Sequence, residues 1–383
     1  MHNSTGLFRL TSTERVPRRL TAEESIDLAE SSELTFTDDG SVIVQNTTRG
    51  TVQLMAVSPH GQISQITSTA LVVTGHDCVG DKVVFAFQDA MSSGDVAVVA
   101  DNHIRRLTGL GSSLRDDDIL PSREVTVIGR DGCPVHGWVV RPKEHSTEGP
   151  GAHPVLLCIH GGPFSQYSVA LFDEAQICAA AGYAVVMCNP RGSSGYGQAH
   201  GRAIRHGMGQ LDQNDVLDFL DGVLDTDPTL DATRVGIMGG SYGGFLTAWI
   251  IANDHRFTTS VIERGFLDPE AFIGTSDIGS FFTDEYAGET QSHIQRQSPQ
   301  SVVGSVRTPT LLTHSANDLR CPLGQSERYY AALKRGGVET ELVIFPGEDH
   351  ELSRKGSPRH REQRFAIVLE WLARYLPTAH NAR

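Results

Sequence analysis

Arg234-Val-Gly-Ile-Met-Gly-Gly-Ser-Tyr-Gly-Gly244 is the stretch that decides the fold. An apolar, strand-like run leads into Gly239-x-Ser241-x-Gly243, and a helical pattern begins at once, over Gly243–Asn253. Glycines are required there because the turn is too tight for side chains beside it. The serine is then held in strained backbone geometry with its hydroxyl projecting above the sheet edge. GxSxG alone arises often by chance; the strand before it and the helix after it give it meaning.

Serine is a weak nucleophile at neutral pH and needs a base within hydrogen-bond reach. In a strand–elbow–helix fold the chain order is serine, acid, histidine. Of the histidines after Ser241, His350 follows the strand-like Glu341–Phe345 through Pro346-Gly-Glu-Asp349. It therefore lies at the carboxyl edge, where open parallel sheets bind ligands. His314 also ends a strand, but it precedes the acid and reads as structural. Asp318, just past Thr310–Thr313, is the expected acid, holding the imidazole tautomer. Its rival Asp349 adjoins His350 in sequence and points elsewhere. For the oxyanion, the Tyr242 N–H is one donor; Ile159-His-Gly-Gly-Pro163 supplies the other through Gly162, with Gly161 next. His160 reads as loop packing.

Working outward, apolar runs alternate with helical stretches. Strands are expected at Val125–Val127, Val135–Val140, Pro154–Ile159, Tyr183–Cys188, Arg234–Met238, Ser260–Glu263, Thr310–Thr313 and Glu341–Phe345. Helices are expected at Phe172–Ala181, Leu211–Leu224, Gly243–Asn253, Leu323–Arg335 and Arg359–Tyr375. Apolar strands separated by helices imply a mostly parallel sheet covered on both faces. With the elbow, this is an α/β-hydrolase fold, doubly wound, over residues 116–383.

Residues 1–115 follow a different grammar. Short runs such as Ser41–Gln45, Thr51–Val57, Ala70–Val73, Lys82–Phe87 and Asp95–Ala100 are broken by Gly/Asp turns, as in a propeller or sandwich. Ile63-Ser-Gln-Ile-Thr67 and Ile104-Arg-Arg-Leu-Thr108 close two similar units, and Pro17-Arg-Arg-Leu-Thr21 echoes them. Such repeats of roughly 40 residues fit propeller blades. Leu110–Arg123, with Asp116-Asp-Asp118, reads as a linker.

Composition narrows the function classes. The chain has 383 residues, 39% hydrophobic, and a formal charge of −14. No dense Lys/Arg cluster offers a face for nucleic acid. Six cysteines show no metal spacing and read as free thiols of a reducing cytoplasm. No membrane-length apolar run or leader pattern occurs. Asn189-Pro-Arg-Gly-Ser-Ser-Gly-Tyr-Gly197 lacks the Lys-Ser/Thr of a phosphate loop and reads as a site wall, with Arg191 in an ion pair. No cofactor or metal is expected.

Taken together, His160-Gly-Gly-Pro163, Asn189–Gly197, Gly239–Gly244, Gly274-Thr-Ser-Asp-Ile278, Asp318-Leu-Arg-Cys-Pro322 and Gly347–Arg354 resemble the prolyl oligopeptidase family of serine peptidases, most closely its acylaminoacyl-peptidase branch. The resemblance implies hydrolysis of N-acylated or short peptides near their N-terminus. It implies that Arg320 binds a substrate carbonyl, the alternative being a surface ion pair. Phe281, Phe282 and Tyr286 would line an apolar pocket or pack in the core. The family has a complete propeller; residues 1–115 suffice for two to three blades, a partial β-propeller with open edges, which implies a piece of a longer protein, completion by another copy in a homo-oligomer, or only a small lid. An esterase or small-molecule amidase with the same triad is the alternative activity, and a catalytically inert interaction protein the third reading.

Overall fold

The computed structural model describes residues 3–80, 82–101, 103–112, 119–143 and 149–379; part of the expected linker, 113–118, lies outside them. The chain forms two compact units. One comprises Met1–Ser122 with Phe164–Gln176 and Ser193–Arg202; the other comprises Arg123–Pro163, Ile177–Gly192 and Ala203–Arg383.

In the first unit, β1 (Phe8–Arg9) pairs antiparallel with β2 (Arg18–Arg19). Two meanders follow: β3 (Thr35–Phe36), β4 (Val42–Thr48), β5 (Thr51–Val57) and β6 (Ile63–Gln65), then β7 (Val72–Val79), β8 (Lys82–Asp89), β9 (Ser92–Ala100) and β10 (His103–Arg106). Within each meander successive strands pair antiparallel. Between them only one parallel pair, Val52 with Val72, joins β5 to β7. Each meander is thus a four-stranded blade. Strict alternation in β8, with Val83, Phe85 and Phe87 buried, packs one face against Ile43 and Leu54 of the other blade. Val44, Met55 and Val57 on the reverse of β4 and β5 pack with Leu7, Ile26 and Leu28. That double coverage explains the consecutive apolar residues Val42–Val44 in β4 and Leu54–Val57 in β5.

The repeated phrase has a physical cause. Thr21, Thr67 and Thr108 each accept, through Oγ1, the backbone N–H of the neighbouring strand: Leu7 at 3.0 Å, Leu54 at 2.9 Å and Val96 at 2.9 Å. The residue before each threonine donates its own N–H to the carbonyl of that same partner, Leu20 to Leu7, Ile66 to Leu54 and Leu107 to Val96. A hydroxyl is needed because it reaches a donor that the ladder leaves unmet. The outer strands are short. Thr35–Phe36 leaves Phe36 exposed, and His103–Arg106 is exposed throughout and carries Arg105 and Arg106.

The second unit holds one eight-stranded sheet. It comprises β11 (Ser122–Ile128), β12 (Pro134–Val140), β13 (His153–Ile159), β14 (Ala184–Asn189), β15 (Leu230–Gly240), β16 (Thr259–Glu263), β17 (Thr310–Ser315) and β18 (Thr340–Phe345). The order is β11-β12-β14-β13-β15-β16-β17-β18. From β14 to β18 the neighbours are parallel; β12 runs antiparallel to β14. Four longer helices flank it: α1 (Leu211–Thr226), α2 (Tyr242–Asn253), α3 (Gly324–Arg335) and α4 (Pro358–Tyr375). Helix α2 is apolar around its whole circumference because the sheet and further helices enclose it. The eight expected strands and five expected helices all form; five short helices between Pro269 and Lys355, and the 3-10 turn at Val303–Ser305, carry too few residues for a legible period.

Thr67→Val keeps the side-chain volume but strips Leu54 N–H and the Gln53 amide of their partner. It is expected to cost about 1–3 kcal/mol, read as a lower unfolding midpoint in urea, while Thr11→Val at an exposed turn leaves the midpoint unchanged.

Candidate active site

The elbow is formed where β15 meets α2. Ser241 adopts φ 61° and ψ −120°, a left-handed conformation that non-glycine residues rarely hold. A Cβ on Gly243 would lie 2.2 Å from the Ile159 carbonyl oxygen, and one on Gly239 would lie 2.5 Å from that of Gly243. These are the two glycines of the motif, and backbone occupies the space their side chains would need. Ser241 N–H donates to the Glu263 carbonyl at 2.9 Å, and Phe266 N–H donates to the Ser241 carbonyl at 3.2 Å. The strained backbone of Ser241 is thereby clamped to the end of β16.

Three residues distant in sequence converge here. His350 Nε2 is 3.1 Å from Ser241 Oγ, and His350 Nδ1 is 2.7 Å from Asp318 Oδ2. Asp318 is buried at the end of β17, and its Oδ1 accepts the Cys321 N–H at 2.8 Å. An Nδ1–H held by a carboxylate leaves Nε2 as the acceptor, the tautomer that can take a proton from a hydroxyl. Asp349 turns away: its carboxylate accepts the Glu351 N–H at 2.8 Å and caps the next turn.

The His160-Gly161-Gly162 loop follows β13 beside the elbow. A Cβ on Gly161 would sit 3.5 Å from Ser241 Cβ and 3.2 Å from the Gly240 carbonyl oxygen. Gly162 takes φ 115°, open only to glycine. Tyr242, whose N–H adjoins the nucleophile, is anchored from below: its hydroxyl donates to Asp212 Oδ2 at 2.5 Å. Burial pushes the Asp212 carboxyl's pKa up, against the pull of that hydroxyl and of the Gly209 and Gln213 N–H groups. His160 is buried, with Nδ1 2.6 Å from the Gly161 carbonyl oxygen, and burial pushes its pKa down to about 4.

The remaining predicted residues separate. Arg320 lies in an ion pair with Asp277 (Nε to Oδ1 2.8 Å, Nη2 to Oδ2 3.3 Å), both about half exposed. Phe282 and Tyr286 are buried in an aromatic cluster with Phe266 and Phe272, ring centroids 4.7–5.7 Å apart. Phe281 is partly exposed at the edge of that core. Arg191 is held by Asp215 and Asp131.

Two supports were not legible in the sequence. Asp212 opens an ordinary amphipathic helix and nothing marks it as Tyr242's partner. Glu263, whose carbonyl holds the Ser241 N–H, has its carboxylate gripped by Arg364 (Nε 2.7 Å, Nη2 2.5 Å). Burial opposes the Glu263 charge, yet Arg364 holds its pKa below the ordinary value. The pair joins positions 101 residues apart, a span no local pattern reports.

Residues 169–378 match the model of the Prolyl oligopeptidase family. The uncharacterized peptidase YuxL of Bacillus subtilis is 41% identical over 277 residues, covering 71% of this chain and 42% of that protein. Acylamino-acid-releasing enzyme 1 of Oryza sativa subsp. japonica is 30% identical over 237 residues, 58% of this chain and 30% of its own. A solved acylaminoacyl peptidase in complex with Z-Gly-Gly-Phe-chloromethyl ketone superposes with TM-score 0.88 at 27% identity, covering 95% of this chain and 58% of that one. The chain thus spans between about a third and three fifths of the length of the proteins it matches.

The depressed His160 pKa has a consequence for stability. The unfolded chain takes up this proton near the ordinary value of 6.5, the folded chain only near 4. The unfolded state therefore binds more protons in that window, and stability falls as pH drops from 6.5 to 4, levelling below it. His160→Gln is expected to make the urea midpoint less sensitive between pH 7 and pH 4.5; an unchanged slope of midpoint against pH would refute the assignment.

Proposed function

The chain belongs to the prolyl oligopeptidase family, and on that premise we propose that it is a serine peptidase hydrolysing N-acylated or short peptides near their N-terminus. The observation that carries this is the unbroken chain Ser241 Oγ, His350 Nε2, His350 Nδ1, Asp318 Oδ2, at 3.1 and 2.7 Å. Ser241 Oγ attacks the acyl carbonyl while His350 Nε2 takes its proton; Asp318 holds the ring and stabilises the imidazolium. Charge developing on the carbonyl oxygen is met by the N–H of Tyr242 and of Gly162, with Gly161 as the alternative donor. Each donor is worth roughly 3–4 kcal/mol in the transition state. His350 then returns the proton to the leaving amine, and water repeats the sequence on the acyl-enzyme.

Arg320 serves as the carbonyl anchor in this reading. Asp277 occupies Nε and Nη2 and fixes the guanidinium, leaving Nη1 as its donor to substrate. Phe281, at the rim, offers the apolar surface for the residue before the scissile bond; Phe282 and Tyr286 back it from within the core. The solved neighbour with a blocked peptide ending in phenylalanine supports the same substrate class.

We place the enzyme in the cytoplasm, a location supported by six cysteines that form no disulfide, four of them buried. No helix among the described residues is long and apolar enough to cross a membrane. Net charge of −14 disfavours nucleic acid as a partner. Self-association is supported by the short β3 edge with exposed Phe36; Arg105 and Arg106 protect the β10 edge.

Ser241→Ala should cut turnover of acetyl-Phe p-nitroanilide by at least about 10⁴-fold without shifting the unfolding midpoint. Full activity in that variant rules out the triad, and rapid cleavage of short p-nitrophenyl esters with none of the anilide points to an esterase instead. Light scattering behind a sizing column is expected to give a mass above 41.5 kDa; a strictly monomeric peak refutes self-association.

A further inference from the structure

His314, fifth residue of β17, is fully buried and lies inside the loop that carries the acid. Its Nε2 is 2.7 Å from the Cys321 carbonyl oxygen, and its Nδ1 is 2.8 Å from Ser326 Oγ. A carbonyl oxygen only accepts, so Nε2 carries the proton and Nδ1 receives the Ser326 hydroxyl. Burial lowers the imidazole's pKa, which fits a neutral ring. The same Nε2 is 3.5 Å from Asp318 Oδ2, the oxygen that holds His350.

These contacts form a series that ends on His350. The His314 side chain holds the Cys321 carbonyl, the Cys321 N–H holds Asp318 Oδ1, and Asp318 Oδ2 holds His350. The Asp318–Cys321 segment reverses direction within four residues, and Leu319 at its tip is exposed. The Asp318 N–H itself donates to the Ser315 carbonyl at 3.3 Å. Cys321 thus holds the carboxylate through its N–H and is itself held by His314 through its carbonyl, while Ser276 Oγ donates to the Arg320 carbonyl of the preceding peptide at 2.6 Å.

We propose that His314 is a positioning residue for the reaction: it fixes the acid loop so that Asp318 meets His350 in line, and it acts on catalysis only through Asp318. The proposal rests on the triad assigned above. A neutral ring is essential to the role, since an imidazolium 3.5 Å from Oδ2 competes with His350 for the same oxygen.

The test is a double-mutant cycle on a reactive p-nitrophenyl ester, with kcat and KM measured separately. His314→Leu is expected to lower kcat about 10–100-fold, the scale of a misplaced catalytic group, with KM within about twofold. His314→Gln, whose amide donor can reach the Cys321 carbonyl, should recover most of the loss. In an Asp318→Asn background, His314→Leu should have no further effect, because coupled residues are not additive. Equal loss in both backgrounds, or no recovery by glutamine, overturns the proposal. Full activity of Asp318→Asn overturns the triad itself, which is a separate result. Should His314→Leu not fold, Ser326→Ala takes its place in the cycle with the same expected dependence on Asp318.

Discussion

Everything at this site depends on one strained peptide. Ser241 stands at a positive φ that costs of the order of 1–3 kcal/mol for a residue with a side chain. It persists because both of its backbone groups are held by the segment at the end of β16, through Glu263 and Phe266. That segment is in turn fixed from beneath by the Glu263–Arg364 pair, buried on both sides. A buried pair of this kind adds little net stability but is costly to break on one side. Its function is to make one geometry of the elbow the only one available, so that the hydroxyl is aimed before any substrate arrives.

The same logic recurs on the other arms of the site. Tyr242 presents a backbone donor while its side chain is pinned by Asp212, and His350 is oriented by a carboxylate whose loop is itself tied down. In each case a residue beside Ser241 is held in place by a second residue further away. Preorganisation of this sort removes the reorganisation that water would otherwise require during charge development.

Much of this was legible in the sequence, for identifiable reasons. The central strands β13 and β14 are apolar and buried along their length because both faces of the sheet are covered, and the elbow glycines are forced by backbone contacts closer than 3 Å. Chain order set His314 aside, adjacency to His350 set Asp349 aside, and the place just after the last strand singled out His350. The repeated threonine phrases were visible as letters, but their meaning as hydrogen-bond clasps needed the neighbouring strand. Asp212, Glu263 and Arg364 were invisible because each acts on a partner 30 or 101 residues away and sits in an otherwise ordinary element. Tyr286 showed as an aromatic near the site, but sequence could not tell a pocket wall from a core residue; it is wholly buried.

The blades and the hydrolase sheet also differ in how far apart their essential contacts lie along the chain. Each blade is stitched by neighbours in sequence, as in the threonine clasps 12–14 residues long. The elbow depends instead on α4, through Arg364 to Glu263 and through Trp371 to Thr259, 101 and 112 residues away. Contacts of short range form early and those of long range late. The strand pairs within each blade therefore close locally, whereas the support of Ser241 is complete only when α4 has docked.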